Sequence, residues 1–299
     1  MAVGPDQFQL GAATAVTVDR RDHMPLWIES AWVDSDRTIY AWYHHEPTGV
    51  CPGDLTAPRI GALVSYDGGR LFYDLGVVLA SGDEVNCSSE NGFFAGGHGD
   101  FSVILDRDQS YFYFLFTNYG GSVSSQGIAI ARMAFGDRTA PAGALWKYFD
   151  GRWDEPGLSG RVTPAIPARV GWESADTDSF WGPAIHWNTH LESYVVLLNR
   201  SCCRPKWPQE GIYVSYNADL SRPDYWKTPQ LLLRENAYYP QVMGLSPDET
   251  DTEAGQLTRL YVQGKSSWQL VFHKDDIGVE RTEGPAAGSD LPLGRRPRK

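Results

Sequence analysis

IGALVSYDGG (Ile60 to Gly69), QGIAIARMAF (Gln126 to Phe135) and EGIYVSYNAD (Glu210 to Asp219) share one design, a Gly-led strand running into a turn. Each follows an aromatic or apolar strand: TIYAWYHHEP (Thr38 to Pro47), YFYFLFTNYG (Tyr111 to Gly120) and SYVVLLNRSC (Ser193 to Cys202). A short apolar strand precedes each pair, a strand carrying an aromatic follows, and the pattern begins a fourth time. Strands of period two or of continuous apolar character, punctuated by Gly, Pro, Asn and Asp, define the class as all-β. A recurring four-strand unit reads as the blade of a β-propeller, which arranges the first strand of every blade around one central funnel.

The units run from Trp27 to about Leu79, from Gly99 to about Phe149, and from Trp181 to near Leu233. The last begins at Tyr238 to Leu245 and continues through Leu257 to Gly264 and Trp268 to His273. Gln7 to Val18 reads as a leading strand that would close the ring on the last blade. The Gly-led strands start at Gly61, Gly127 and Gly211, so the second interval holds surplus chain, around Glu155 to Phe180, with the Pro-rich piece TPAIPAR (Thr163 to Arg169). Taken as a blade, this surplus gives a five-bladed β-propeller. Taken as an insertion, it gives four clear blades. Residues 1–279 are expected to form the propeller and 280–299, rich in Gly and Pro and ending in a basic run, a disordered tail.

The net charge of −11 and the pI near 5.1 exclude a basic nucleic-acid surface. No stretch is apolar enough to span a membrane, and no signal peptide is recognisable at Met1 to Leu10, so the compartment stays open. The aromatic content of 13% serves a β core first, with any exposed cleft aromatic suited to a sugar ring. Cys51, Cys87, Cys202 and Cys203 form no CxxC pair, which argues against structural zinc. Cys51 and Cys87 flank one blade and are placed to bridge in an oxidising compartment. Cys202 and Cys203 read as buried thiols.

The first strands differ where they begin. They read WIESAWV with Glu29, GHGDFSVIL with Asp100, FWGPAIHWN with His186, and YYPQVMGL with Gln241. Such positions lie at the funnel mouth, where desolvation and like charges raise a carboxyl for acid work. Glu29 and Asp100 are the leading pair, and Gly96, Gly97 and Gly99 beside Asp100 would let a ligand approach the backbone. His44, His45 and Glu46 end the second strand of the first blade and His98 precedes Asp100; these, with Trp181 and Gln241, are candidate binders of sugar hydroxyls and rings. Glu173, beside Trp172 in the surplus segment, and His186 are candidate proton donors. Whether a metal is held is open.

SYDGGRLF (Ser65 to Phe72) resembles the Asp-box of sialidase-like propellers at Ser65, Asp67 and Gly69, where the box is a structural turn. From roughly Trp27 to Phe272 the chain resembles the five-bladed propellers of glycoside hydrolase family 43 and its relatives. The resemblance implies a base on blade one, where Glu29 stands in place of Asp, and an orienting Asp on blade two, matched by Asp100. It implies a Glu acid on blade three, where this chain reads Trp181-Gly182-Pro183. Some relatives use a His acid, which points to His186. It also implies a carbohydrate substrate, no required cofactor, and a calcium ion as a common occupant of the central channel. Two other functions stay open. One is a non-catalytic carbohydrate-binding propeller with Trp32, Trp42, Trp181 and Trp187 as platforms. The other is a polysaccharide lyase using a His.

Overall fold

The computed structural model describes residues 11–205, 208–274 and 278–283. Its first sheet takes β1 (Thr17–Val18), β2 (Leu26–Val33), β3 (Ile39–His45), β4 (Arg59–Ser65) and β5 (Leu71–Leu79), in the order β1-β5-β4-β3-β2. The second takes β6 (His98–Leu105), β7 (Tyr111–Asn118), β8 (Gly127–Ala134), β9 (Leu145–Phe149) and β10 (Arg152–Pro156) in chain order, with β11 (Ile166–Pro167) paired on β8. The third is a meander of β12 (Ser179–Asn188), β13 (Ser193–Ser201), β14 (Gln209–Asn217) and β15 (Gln230–Leu233). The fourth is formed by β16 (Pro240–Gly244), which precedes β17 (Glu253–Ala254), and by β18 (Leu257–Val262), β19 (Lys265–His273) and β20 (Gly278–Glu283). β17 leaves that sheet and pairs in parallel with β12 at Trp187 and Asn188, tying blade four to blade three. The chain is therefore all-β and propeller-like, with β2, β6, β12 and β16 innermost and in contact in that order.

The strands β7 and β13 are apolar on both faces because their sheets lie in the middle of the stack. Along β7, Phe112, Phe114 and Phe116 enter the core between sheets one and two, while Tyr113 and Leu115 enter the core between sheets two and three. Along β13, Tyr194, Val196 and Leu198 face sheet two, and Val195 and Leu197 face sheet four. The strand period of two thus distributes one strand between two interfaces. The Gly-led strands do the same: Ala129, Ala131 and Met133 go one way, Ile128 and Ile130 the other.

Three sequence expectations change here. The surplus segment builds no sheet of its own. β10 extends the second sheet, and Ile166–Pro167 docks on β8 as a two-residue strand, so the described residues form four sheets with a long insertion. Its prolines lack the N–H groups a central strand needs. The leading strand does not close the ring. β1 pairs in parallel with β5 of sheet one, and Val18 and Leu26 cover a cluster of Ile39, Ala41, Tyr43, Leu63 and Phe72 on that sheet's outer face. The sheet continues past residue 280, because β20 runs to Glu283 and pairs with β19. Residues 7–10 of the leading strand and 284–299 of the tail lie outside the described residues.

The Asp-box is the structural turn it resembles. Ser65 Oγ donates to Asp67 Oδ1 at 2.9 Å, and the Arg70 and Leu71 amides donate to the same oxygen at 3.0 Å. Cys51 and Cys87 are bonded, joining the loop after β3 to the loop before β6. Cys202 and Cys203 are not buried thiols. They are bonded to each other, and Cys203 is exposed. They follow the last residue of β13, where the chain leaves the sheet for the surface. No helix among the described residues is long and apolar enough to cross a membrane.

Phe114 is fully buried and meets Trp42 edge-on at 5.5 Å, so it joins the first two sheets. Phe114→Ala is expected to cost about 3–5 kcal/mol, read as a lowered denaturant midpoint, whereas Val33→Ser on the exposed end of β2 should leave the midpoint nearly unchanged.

Candidate active site

β-bulges re-aim side chains. In β2 the register with β3 slips between Ile28 and Ser30, and the unpaired residue is Glu29. In β6 the register with β7 slips between Gly99 and Phe101, and the unpaired residue is Asp100, held at φ 39°. In β12 the slip spans Trp181 to Ala184, and the unpaired residues are Gly182 and Pro183. Blades one and two therefore turn a carboxyl into the funnel at the point where blade three presents a glycine.

The funnel opens into a cavity of about 820 Å³ whose lining includes Trp27, Glu29, His44, Glu46, Asp100, Trp181, His186, Tyr239, Gln241 and Asp251. At its wall one atom each of Glu29, His44 and Asp100 lies within 4.8 Å of the others. Glu29, its side chain 23% exposed, has Oε1 3.2 Å from His44 Nδ1 and accepts the Phe101 amide on Oε2 at 2.9 Å. The Asp100 amide nitrogen lies 3.0 Å from the same His44 Nδ1, and His44 Nε2 is 3.4 Å from Glu46 Oε1. Asp100 is buried, and its two carboxylate oxygens accept hydrogen bonds from the Tyr119 and Tyr239 hydroxyls, the latter at 3.2 Å.

Burial pushes the Glu29 carboxyl up, opposed by its bond to His44 and assisted by the Asp100 charge. Burial pulls the His44 imidazole down, but Glu29, Glu46 and Asp100 outweigh it and raise the group to about 10. Both members of the pair therefore cling to protons, and the pair carries one through neutral pH. Burial, followed by the Asp100 charge and hydrogen bond, raises both Tyr119 and Tyr239, so their hydroxyls stay protonated and donate.

Of the residues singled out from sequence, Glu29, Asp100, His44, Glu46, Trp181, Gln241 and His186 line this cavity. Gln241 donates to Asp251 Oδ2 at 3.1 Å. His186 lies there fully buried, and burial pushes it to about 3, so it is neutral and lacks the imidazolium proton a general acid would donate. Glu173 is not in the cavity. It is exposed and accepts from Gln126 Nε2 at 2.9 Å, while Trp172 beside it is buried under Tyr119. His45 points away, because neighbours on a strand face opposite sides; its Nδ1 is 3.0 Å from the Pro25 carbonyl and its ring meets His23. His98 is buried against Phe116 at 4.7 Å. Trp42 and Trp32 pack on Phe112 between sheets one and two, and Trp187 packs on Tyr194, so of the four proposed platforms only Trp181 faces the cavity.

Sequence reasoning missed Tyr119, Tyr239 and Asp251. Tyr119 ends an aromatic run in which its neighbours are all core, and Asp251 lies in an acidic turn that looks solvated. Burial raises the Asp251 carboxyl. Of the glycines near Asp100, Gly97 and Gly99 serve packing rather than ligand approach, and Gly96 takes a φ of 129° that side chains rarely adopt. A Cβ at Gly99 would stand 2.6 Å from His44 Cε1, and one at Gly97 would stand 2.5 Å from the Pro58 nitrogen.

Calcium takes six to eight oxygen ligands. The Glu29, His44 and Asp100 group offers an imidazole and carboxylates already used by two hydroxyls and a backbone amide, which does not fit that ion. A second group, Asp178, Cys202 and Cys203, has its sulfurs bonded together and its carboxylate held by Arg200 at 2.9 and 3.0 Å.

Two outcomes follow from this geometry. Gly99→Ala should displace the His44 ring and abolish ligand binding or turnover while the far-ultraviolet strand signal persists. His44 stands near 10 in the folded chain against 6.5 ordinarily. Its stabilisation is therefore complete below about pH 6.5 and is lost as pH rises towards about 10. His44→Asn should remove that alkaline decline from a plot of thermal midpoint against pH.

No family model and no curated protein sequence matches the chain. Solved structures do. A family 117 glycoside hydrolase of the marine bacterium Zobellia galactanivorans aligns with TM-score 0.55 and 9% identity, over 90% of this chain and 73% of its own. An exo-1,5-α-L-arabinanase from a bovine ruminal metagenomic library aligns with TM-score 0.50 and 12% identity, over 87% of this chain and 78% of its own. At such identities the likeness is one of architecture, and it shows that this chain has the fold of the β-propeller glycoside hydrolases.

Proposed function

We propose that this protein hydrolyses glycosidic bonds in a carbohydrate, with the Glu29–His44 pair as proton donor and Asp100 as the opposing carboxylate. The observation that carries this reading is the convergence of Glu29, His44 and Asp100 within 4.8 Å at the wall of one large cavity. The raised Glu29 carboxyl protonates the leaving oxygen as the glycosidic bond breaks. Asp100, steadied by the hydroxyls of Tyr119 and Tyr239, attacks the anomeric carbon of the oxocarbenium-like transition state. Glu29, now ionised, then takes a proton from a water that attacks the anomeric carbon; the bond to Asp100 breaks, the sugar is released, and Glu29 holds its proton again. Carboxyl groups about 5–5.5 Å apart accompany retention, and about 6.5–9.5 Å inversion. The close approach of Glu29 and Asp100 supports retention.

This assignment departs from the roles that the family resemblance implies. Blade three presents Gly182 where an acid is expected, His186 is neutral, and Glu173 lies outside the cavity. That same observation favours one second reading, a carbohydrate-binding propeller without catalysis. The lyase reading has less support, because no Lys or Arg lines the cavity among the described residues to hold a uronate.

The test is a panel of neutral aryl glycosides and oligosaccharides with wild type, Glu29→Gln and Asp100→Asn. Each variant should lose about 10²–10⁴-fold in kcat, with its thermal midpoint retained. Wild-type activity should fall as pH rises, because the proton on the raised Glu29–His44 pair is then lost. Turnover that survives both substitutions removes the mechanism; tight binding without any product selects the binding module.

A further inference from the structure

Beyond the carboxyl pair, the cavity wall formed by blades three and four holds polar groups that none of the described residues satisfies. Ser201 ends β13 and pairs in register with Gln209 at the start of β14, and both line the cavity. Ser201 is 1% exposed, and among the described residues neither its Oγ nor Gln209 Oε1 has a hydrogen-bond partner. The Gln209 amide is oriented by its other end: Nε2 donates to the Gly211 carbonyl at 2.9 Å and lies 3.4 Å from Asn199 Oδ1. Its oxygen is thereby left as a fixed acceptor beside a hydroxyl.

The pair is also held firmly. The register skips Glu210, whose carboxylate accepts from Arg200 at 2.9 Å and from the Tyr213 hydroxyl at 2.7 Å. Arg200 in turn grips Asp178 through two bonds. This network pins the residues on either side of Ser201 and Gln209, so their polar atoms are not free to seek partners elsewhere. The Cys202 amide closes the loop on the Pro208 carbonyl at 3.3 Å.

Apolar faces stand beside this polar pair. Trp181 and Tyr238 line the same cavity with ring centroids 5.8 Å apart, and Tyr238 is 38% exposed. A fixed acceptor, a hydroxyl and two aromatic faces match the chemistry of a neutral sugar ring, which presents hydroxyls at its edge and C–H groups on its face. A carboxylate-bearing ring would meet an acceptor oxygen and no cation.

We propose that Ser201, Gln209, Trp181 and Tyr238 form a second sugar subsite, one that takes an uncharged ring of an oligosaccharide whose neighbouring ring sits at Glu29 and Asp100. This rests on the carbohydrate reading of the cavity. Ser201 and Gln209 are binding residues here, with no part in the bond-breaking step. The substrate is accordingly a neutral chain of at least two rings, and a simple aryl monoglycoside reaches only the carboxyl pair.

The experiment compares wild type, Ser201→Ala, Gln209→Leu and the conservative Ser201→Thr. The probes are the 4-nitrophenyl monoglycoside cleaved fastest in the panel and the unlabelled trisaccharide of the same sugar. Loss of one hydrogen bond to the ring should raise KM for the trisaccharide about tenfold. It should leave kcat nearly unchanged, leave the monoglycoside constants untouched, and be reversed in Ser201→Thr. Equal effects on both probes, or none on either, overturn the subsite. If wild type cleaves nothing, calorimetric titration with the neutral trisaccharides of the panel separates the two ideas. Affinity that falls about tenfold in Ser201→Ala and Gln209→Leu keeps the subsite while the hydrolase reading fails. Affinity that is unchanged, or absent in wild type, overturns it. Thermal midpoints show whether each variant is folded, and a variant that is not is replaced by Gln209→Met, read in the same way.

Discussion

A strand in register cannot turn two neighbouring side chains to the same side, and the candidate site depends on how three inner strands escape that limit. A bulge at Glu29, another at Asp100 and a third at Gly182 and Pro183 each insert unpaired residues into an otherwise regular ladder. The ladder on either side of each bulge continues to fill the inter-sheet cores. The inserted residue is released from that duty and faces the funnel. The left-handed φ of Asp100 is the local cost of this arrangement, of a kind that side chains rarely adopt. Two of its supports are visible in the tyrosine hydroxyls on its carboxylate.

The middle strands supply the rigidity behind this. β7 and β13 each divide their side chains between two cores, so sheets two and three cannot move without disturbing both neighbours. His44 illustrates the coupling. It shares a strand face with Tyr40 and Trp42, which fill the first core, yet it reaches Glu29 on its own sheet and the Asp100 amide on the next. One imidazole thus links the two bulged carboxyls to the sheet interface and sets the protonation of the group. On the opposite face of the same strand, Tyr43 and His45 belong to the N-terminal segment that covers sheet one. Tyr43 meets His23 and Asp74 there, and His45 meets the Pro25 carbonyl.

Repetition and divergence fall on different strands. The second and third strands of each blade keep their pattern because every copy must fill the same kind of layered core. The first strand is relieved of part of that task by the open funnel, and its side chains differ from blade to blade. Blade three departs furthest. Its bulge carries no acid, and its polar resources lie instead at Ser201 and Gln209, one and two strands further out.

The sequence by itself determined the all-β class, the blade unit, the order of the strands and the Asp-box turn, since these follow from side-chain period and turn residues, which are local. It also placed Glu29 and Asp100 among the leading residues, because a carboxyl that interrupts an apolar strand is conspicuous. Only the tertiary structure decided the rest. Whether the surplus segment makes a blade depends on which strand edge accepts it, and β8 and β9 did. Glu173 and His98 were separated from the site by the path of the chain, and His45 by a half-turn of strand pleat that the triplet His44-His45-Glu46 conceals. His186 was brought to the cavity but stripped of its proton by burial. Tyr239 and the Ser201–Gln209 pair converge on the cavity, and Tyr119 on the Asp100 carboxylate, from separate blades, and the strand pattern of one blade carries no information about what the next blade places opposite it.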